Sequence, residues 1–201
     1  MTEKEQIRLS KIADTQHEIF ALLKQRYSPR TFKDEPIKKE HLKQLFEAVR
    51  WSASSENTQP WRFIYAKRGS DAHGKIIACL SEDNQKWAPL APMLLFSVYK
   101  EKLDNGSENF QALYDLGLSI GNMTVQAQYL GIALHHITGV DREVADQEFD
   151  IPKEYHVCTA IALGYYGGEL KQLPADLHEK EKATRERMAQ TSFAFENSWK
   201  T

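Results

Sequence analysis

The chain has 201 residues, 41% of them hydrophobic, with 26 Lys and Arg against 28 Asp and Glu and a formal net charge of -2. That length and apolar share suit a single compact domain with an ordinary core. The balanced charge gives no basic footprint for nucleic acid, and the longest central apolar run, APMLLFSVY, is far too short to span a bilayer.

The N-terminal MTEKEQIRLS is charged and lacks the apolar run of a secretory signal. Residues 3–25 read as a first helix, with Ile12, Ile19, Phe20, Leu22 and Leu23 as its apolar positions, and SPRTFKDEP then breaks the pattern with two prolines. A second helix is predicted over 38–53, where Leu42, Leu45, Phe46 and Val49 fall at i, i+3, i+4 and i+7. RFIYAKR reads as a short strand, and SDAHGKIIACL as a helix with Ser70 as its N-cap. MLLFSVY is apolar on both faces, as a central strand requires.

The helix predicted over 108–130 carries a stripe of Leu113, Leu116, Ile120, Met123, Ala127 and Leu130, with Leu118, Val125 and Tyr129 on its other faces. A helix apolar nearly all round is central or buried in a partner. Gly117 and Gly121 leave room for another backbone to approach. IALHHIT is a strand, DREVADQEF a short helix and HVCTAIALGYYG another buried strand. From 168 the chain turns polar, then ends on the aromatic SFAFENSW, which suggests a tail that packs against something. Cys79 and Cys158 lie far apart without a C-x-x-C pair and read as reduced thiols of a cytoplasmic protein.

Four places could carry chemistry. In RYSPRTF, Arg26 and Arg30 flank Ser28 and could converge on one anion, although two arginines beside a turn are commonly just solvated. SASSENTQPW offers Ser54, Ser55, Asn57 and Gln59 on a loop held by Pro60 and Trp61; alone it reads as a helix C-terminus with a polar cap. In HHITGVD the adjacent His135 and His136 point to opposite faces of a strand, which makes them poor joint ligands, and no third ligand stands at metal spacing. The N–H groups of Thr138 and Gly139, at the strand's end, could face a ligand. Arg185 and Arg187 in TRERM would point to one side of an extended segment, but alone they are a basic spot in a charged tail.

The order and spacing of these stretches are more specific than any one of them. RYSPRTFKDEPI, SASSENTQPWRF, YDLGLSIGNMTVQAQYLGIALHHITGVD and RER before a terminal aromatic cluster together resemble the FMN-dependent nitroreductase family, from about residue 22 to the C-terminus. The resemblance implies an α+β fold with a mixed central sheet flanked by helices. It also implies an intertwined homodimer with FMN at the subunit interface, in which the 108–130 helix forms the dimer core and the arm 168–201 packs on the partner. Residues 1–20 would be a helical extension.

By the same resemblance Arg26, Ser28, Arg185 and Arg187 take the FMN phosphate, with Tyr27 among the cofactor-binding positions. Arg30 matches the cation beside flavin N1 and O2, which favours the anionic reduced ring. Asn84 matches an asparagine at the pyrimidine edge. Ser54, Ser55 and Asn57 would approach the flavin of the other subunit, and Thr138 and Gly139 would offer N–H groups to O4 and N5. The implied activity is ping-pong hydride transfer from NADH or NADPH through N5 to an organic acceptor such as a nitroaromatic or quinone, with the flavin carrying the chemistry. No metal and no catalytic side chain are called for. Val140 stands where an aromatic is common, which points to a wider pocket wall. Two other readings stay open: a specialised flavin enzyme of the same fold, of the dehalogenase or flavin-cleaving type with 100–110 as its candidate lid, and a non-catalytic FMN-binding protein.

Overall fold

The computed structural model describes residues 1–199. Four strands make the centre: β1 (Trp61–Lys67), β2 (Met93–Lys100), β3 (Ile132–Ile137) and β4 (Tyr155–Tyr165), in the order β1-β2-β4-β3. β2 is buried on both faces because its side chains alternate between two cores. Met93 and Leu95 join one cluster with Leu42, Leu45, Val49, Leu116 and Met123. Leu94, Phe96 and Val98 join another with Phe32, Ile76, Trp87 and Leu170. Between Ser97 and Val98 the register shifts. There Ser97 Oγ lies 2.9 Å from Thr159 Oγ1 and accepts from the Thr159 N–H at 3.3 Å, filling the disturbed ladder.

Helices cover both faces. α3 (Lys39–Arg50) packs on α6 (Ala112–Tyr129), and α6 lies on β1, β2 and β3. On the other face α4 (Asp71–Ala78) lies on β1 and β2, and α7 (Arg142–Glu148) on β4. The predicted Ser70 cap is present, its side chain accepting from the His73 N–H at 3.3 Å, and Asp141 caps α7 through the Val144 N–H at 3.1 Å. A one-turn helix, α5 (Glu82–Gln85), precedes Trp87. No helix among the described residues is long and apolar enough to cross a membrane.

Three expectations are corrected. The single helix over 3–25 is broken into α1 (Glu3–Ser10) and α2 (Ala21–Gln25), with 11–20 irregular between them, so the 1–20 extension is only partly helical. Asp14, Thr15 and His17 are weak helix formers, and Ile12 and Ile19, 44% and 42% exposed, find no surface to bury against that would override them. The mixed sheet is antiparallel at all three pairings among the described residues. Any parallel neighbour would have to add outside the edge strands β1 and β3. The arm from 168 begins on its own protomer: Leu170, Leu173 and Leu177 are buried in the core beneath β4, and α8 (His178–Lys182) follows them. Those leucines recur at helical spacing inside a polar run, which gives the segment one apolar side.

The N-terminal segment folds back onto this arm. Lys4 pairs with Glu169 at 2.7 Å, Lys182 with Glu3 at 3.8 Å, and the Arg8 guanidinium lies 5.3 Å from the Tyr166 ring centroid. Lys11, 6% exposed, donates to the Ala183 carbonyl.

Candidate functional site

The stretch 26–33 leaves α2 extended and crosses the end of β4. Phe32 is buried against Gly164, and the Lys33 N–H donates to the Tyr165 carbonyl at 3.0 Å. This course brings Arg26, Ser28 and Arg30 to the rim of the α4/α7 face. Arg26 ends α2, and its Nη1 is 3.4 Å from Ser28 Oγ. Arg185 arrives from the far end of the chain. Its guanidinium donates to the Arg26 carbonyl and, at 2.7 Å, to the Lys24 carbonyl, taking up groups that the end of α2 leaves free. Arg187 lies in the same cavity of about 630 Å³ as Arg26 and Arg185, with Asp14, Thr15, His17 and Gln190 on its other walls.

These three cations have no carboxylate partner within 4 Å among the described residues; the ion pairs of the neighbourhood go to Arg30, Lys4 and Lys182 instead. Arg185 Nε is buried without a hydrogen-bond partner. Burial, with the charges of Arg26 and Arg187, pushes the Arg185 guanidinium below its ordinary pKa. A dianionic phosphomonoester would relieve this repulsion and supply the acceptors that Arg26, Arg185 and Ser28 lack, so the residues fit such a group.

Beside this pocket lies a second set of groups. The Arg30 guanidinium sits 5.9 Å from the Trp87 ring centroid, the Arg30 main-chain N–H donates to Glu181 Oε2 at 3.1 Å, and the guanidinium Nη1 is 3.7 Å from the same oxygen. Trp87 Nε1 donates to Asn84 Oδ1 at 3.2 Å, while Asn84 Nδ2 donates to Ser81 Oγ at 2.9 Å. The His135 ring lies 4.3 Å from Trp87, with Nδ1 2.9 Å from the Pro29 carbonyl. Thr138 and Gly139 end β3 beside Asn84. The Gly139 carbonyl accepts from the Ser81 N–H at 2.9 Å, and neither the Thr138 nor the Gly139 N–H donates in any loop hydrogen bond among the described residues. A Cβ on Gly139 would meet Ser81 Oγ at 2.6 Å and Asn84 Nδ2 at 2.9 Å, so only glycine allows this approach. Arg26, Arg185 and Arg187 therefore share one cavity with Ser28 beside Arg26, while Arg30, Asn84 and Gly139 form a second set around Trp87 and Ser81.

Two groups of predicted residues lie elsewhere. The Tyr27 side chain is in the core, 8% exposed and 5.1 Å from the Tyr166 ring, and its carbonyl accepts from the Tyr166 hydroxyl at 3.1 Å, which leaves only its N–H for a ligand. Ser54, Ser55 and Asn57 stand on the α6 side. The Ser55 N–H donates to Asp115 Oδ2 at 3.1 Å, and Asn122 Nδ2 donates to Ser52 Oγ at 2.8 Å, tying the loop to α6. Ser54 Oγ accepts from the Gln59 N–H at 3.1 Å and Asn57 Oδ1 from Gln59 Nε2 at 3.2 Å. Glu56, Asn57 and Gln59 all have positive φ, at 50°, 56° and 46°. Among the described residues no hydrogen bond joins this loop to Arg26, Arg30, Arg185 or Arg187.

His135 and His136 do face opposite sides, and both are held below the ordinary imidazole pKa, chiefly by burial. Among the described residues no group of His, Cys, Asp or Glu is arranged to hold a metal. Sequence reasoning passed over Trp87, Glu181 and Asp115. Trp87 could have been found from its i, i+3 spacing to Asn84. Glu181 and Asp115 carry no such signal, because a carboxylate in a polar run or on a helix reads as solvated.

Fold and site define a layered α+β protein with a cationic pocket at one end of its sheet. The family model of the nitroreductase family matches residues 23–88 and 78–165, and the chain belongs to that family. A solved structure described as an oxidoreductase containing FMN is 30% identical, with 94% of this chain and 97% of that one covered and a TM-score of 0.88. A nitroreductase family protein from Clostridium difficile 630 is 20% identical, with 89% of this chain and 97% of that one covered and a TM-score of 0.68, a likeness of fold. Among named relatives, a Ralstonia nicotianae protein provisionally named an NADH dehydrogenase/NAD(P)H nitroreductase is 23% identical over 151 residues, 66% of this chain and 77% of that protein.

Proposed function

We propose that the chain is an FMN-dependent oxidoreductase that takes electrons from NADH or NADPH and passes them to an organic acceptor such as a nitroaromatic or quinone in ping-pong order. The observation that carries this reading is the convergence of Arg26, Arg185 and Arg187 on one cavity, with Ser28 Oγ 3.4 Å from Arg26 Nη1, no ion pair to any of the three among the described residues, and Arg185 Nε buried and unpaired. The FMN held by the relative of 30% identity supports it further. Bound FMN would supply the redox chemistry.

The protein's own residues bind and orient. Arg26, Ser28, Arg185 and Arg187 hold the phosphate by charge and directed hydrogen bonds. Arg30 sets a fixed positive charge where the ring gains electron density, a preorganised stabilisation needing no rearrangement. Asn84 and the N–H groups of Thr138 and Gly139 orient the ring's polar edges, and Tyr27 contributes its main-chain N–H alone. A homodimer completes the site. Leu113, Tyr114, Leu118 and Tyr129 leave α6 with an apolar face that is 37% to 71% exposed, and nothing lies within 4 Å of a Cβ built on Gly117 or Gly121. A second copy on that face would cover it and carry Ser54, Ser55 and Asn57 to the other protomer's pocket. A cytoplasmic location is in keeping with the free thiols Cys79 and Cys158.

Purified protein should be yellow, or should take up FMN, and should bleach with NADH or NADPH under argon. Yellow protein that neither nucleotide bleaches would be a binding protein rather than an enzyme. Protein that takes up no FMN would overturn the reading.

A further inference from the structure

Glu181 is the most deeply buried carboxylate on the α4/α7 side, 4% exposed, and it is aimed at Arg30. One oxygen, Oε2, accepts from the Arg30 main-chain N–H at 3.1 Å and faces the guanidinium Nη1 at 3.7 Å. A long arginine side chain is otherwise free to swing. Here its two ends are fixed by one carboxylate, with the Trp87 ring 5.9 Å from the guanidinium carbon. Burying such a charge is costly unless it is compensated, and an apolar side chain of similar size would serve a core at least as well. The compensation comes from Arg30, with the charge of Lys11 adding to it. Lys11 belongs to the N-terminal segment and donates to the Ala183 carbonyl just after α8, so the N-terminal segment, α8 and the loop after α2 meet around this carboxylate.

We propose that Glu181 is a positioning residue for the site: it fixes the main chain and guanidinium of Arg30, and the Lys11–Ala183 contact seats the end of the helix that carries it, so that Arg30 presents its charge to the flavin ring in one orientation. The proposal rests on the FMN reading above. It also gives the N-terminal segment a role within its own protomer, as the part that seats the Glu181 helix. Burial raises the Glu181 carboxyl above the ordinary carboxylate range, with the Arg30 hydrogen bond, the Arg30 charge and the Lys11 charge opposing. A glutamine there thus keeps much of what the site uses, since its carbonyl oxygen can still accept from the Arg30 N–H.

The test is a double-mutant cycle of Glu181→Ala and Arg30→Ala on FMN affinity, read by quenching of free flavin fluorescence, together with the midpoint potential of the bound flavin. Glu181→Ala should weaken FMN binding about tenfold in the native background and only about threefold in the Arg30→Ala background, where the main-chain hydrogen bond remains but the guanidinium it orients is gone. It should move the potential in the same direction as Arg30→Ala. Glu181→Gln, which spares the hydrogen bond and guards against a misfolded alanine variant, should restore affinity to within about threefold. Equal effects of Glu181→Ala in both backgrounds would mean that it acts on the fold rather than through Arg30, and would overturn this proposal alone. A native protein that takes up no FMN would overturn the functional reading along with it.

Discussion

Arg185 donates to the main-chain carbonyl of Arg26, so two residues 159 positions apart place their charges side by side through a backbone contact rather than a side-chain pair. The contact also closes the end of α2, since the same guanidinium reaches the Lys24 carbonyl at 2.7 Å. Lysine could not span both oxygens. Arg185→Lys should therefore lose much of the effect of the arginine despite keeping the charge. We expect FMN affinity to fall about tenfold in Arg185→Lys and further in Arg185→Ala, as measured by fluorescence titration. Native affinity in the lysine variant would reduce Arg185 to a point charge.

The role proposed for Arg26 predicts that phosphate recognition and ring recognition can be separated. Arg26→Ala should weaken FMN binding by about one to two orders of magnitude, the scale of a lost charge-assisted hydrogen bond, and should leave riboflavin binding unchanged. Equal losses for the two flavins in parallel titrations would move Arg26 away from the phosphate.

The α6 face offers a test of assembly. Leu113 and Leu118, 54% and 37% exposed in the protomer, would both be covered by a second copy. Leu113→Glu with Leu118→Glu should give a monomer in sedimentation velocity. It should also lose FMN if, as proposed, Ser54, Ser55 and Asn57 reach the pocket from the other protomer. A monomer that keeps FMN with native affinity would place the whole site within one chain.

Acid should destabilise the fold through His135. Burial holds its imidazole down at about 4 from an ordinary 6.5, with the charges of Arg30 and His136 adding and the Pro29 carbonyl opposing. The neutral ring is the folded form, so its contribution is complete above pH 6.5 and is lost as pH falls through about 4. The linkage amounts to at most about 3 kcal/mol. Glu181 has the opposite sign: its raised carboxyl contributes most below its unfolded value, and that contribution fades as pH rises through the folded one. Thermal unfolding between pH 7.5 and pH 4.5 should show a falling Tm whose slope is flattened in His135→Gln. An unchanged slope in that variant would place the acid sensitivity in other groups.

Gly139 tests the junction between β3 and α5. A methyl group there would meet Ser81 Oγ and Asn84 Nδ2 at 2.6 and 2.9 Å, so Gly139→Ala must push both aside. We expect a loss of about 1–3 kcal/mol in stability, the usual cost of overpacking, together with weaker FMN binding through the displaced Asn84. A variant with native Tm and native affinity would leave the close approach without consequence.

Strands and long helices were legible because their signal is local. β2 announces itself by apolar residues on both faces, and α3 by Leu42, Leu45 and Val49 at helical spacing. The same spacing misled at 3–25, where Ile12 and Ile19 keep the period but meet no packing surface. The site was legible only as a set. Arg26, Arg30 and Arg185 each look like solvated charges, and their order along the chain, matched to a family, is what joined them. Glu181 and Lys11 stayed hidden because burial of a charge is decided by segments distant in sequence. Leu170, Leu173 and Leu177 must first seat α8 before Glu181 can reach Arg30.

The loop after α3 holds Glu56, Asn57 and Gln59 in the left-handed region, where each non-glycine residue costs on the order of 1 kcal/mol. Asp115 and the Ser54–Gln59 and Asn57–Gln59 hydrogen bonds keep that shape in the lone protomer. The ordering is thus complete within one protomer. Were a second chain to dock there, the two would meet as finished tools rather than by mutual fitting, and Asn57→Gly would ease the loop's strain while slowing or loosening that union.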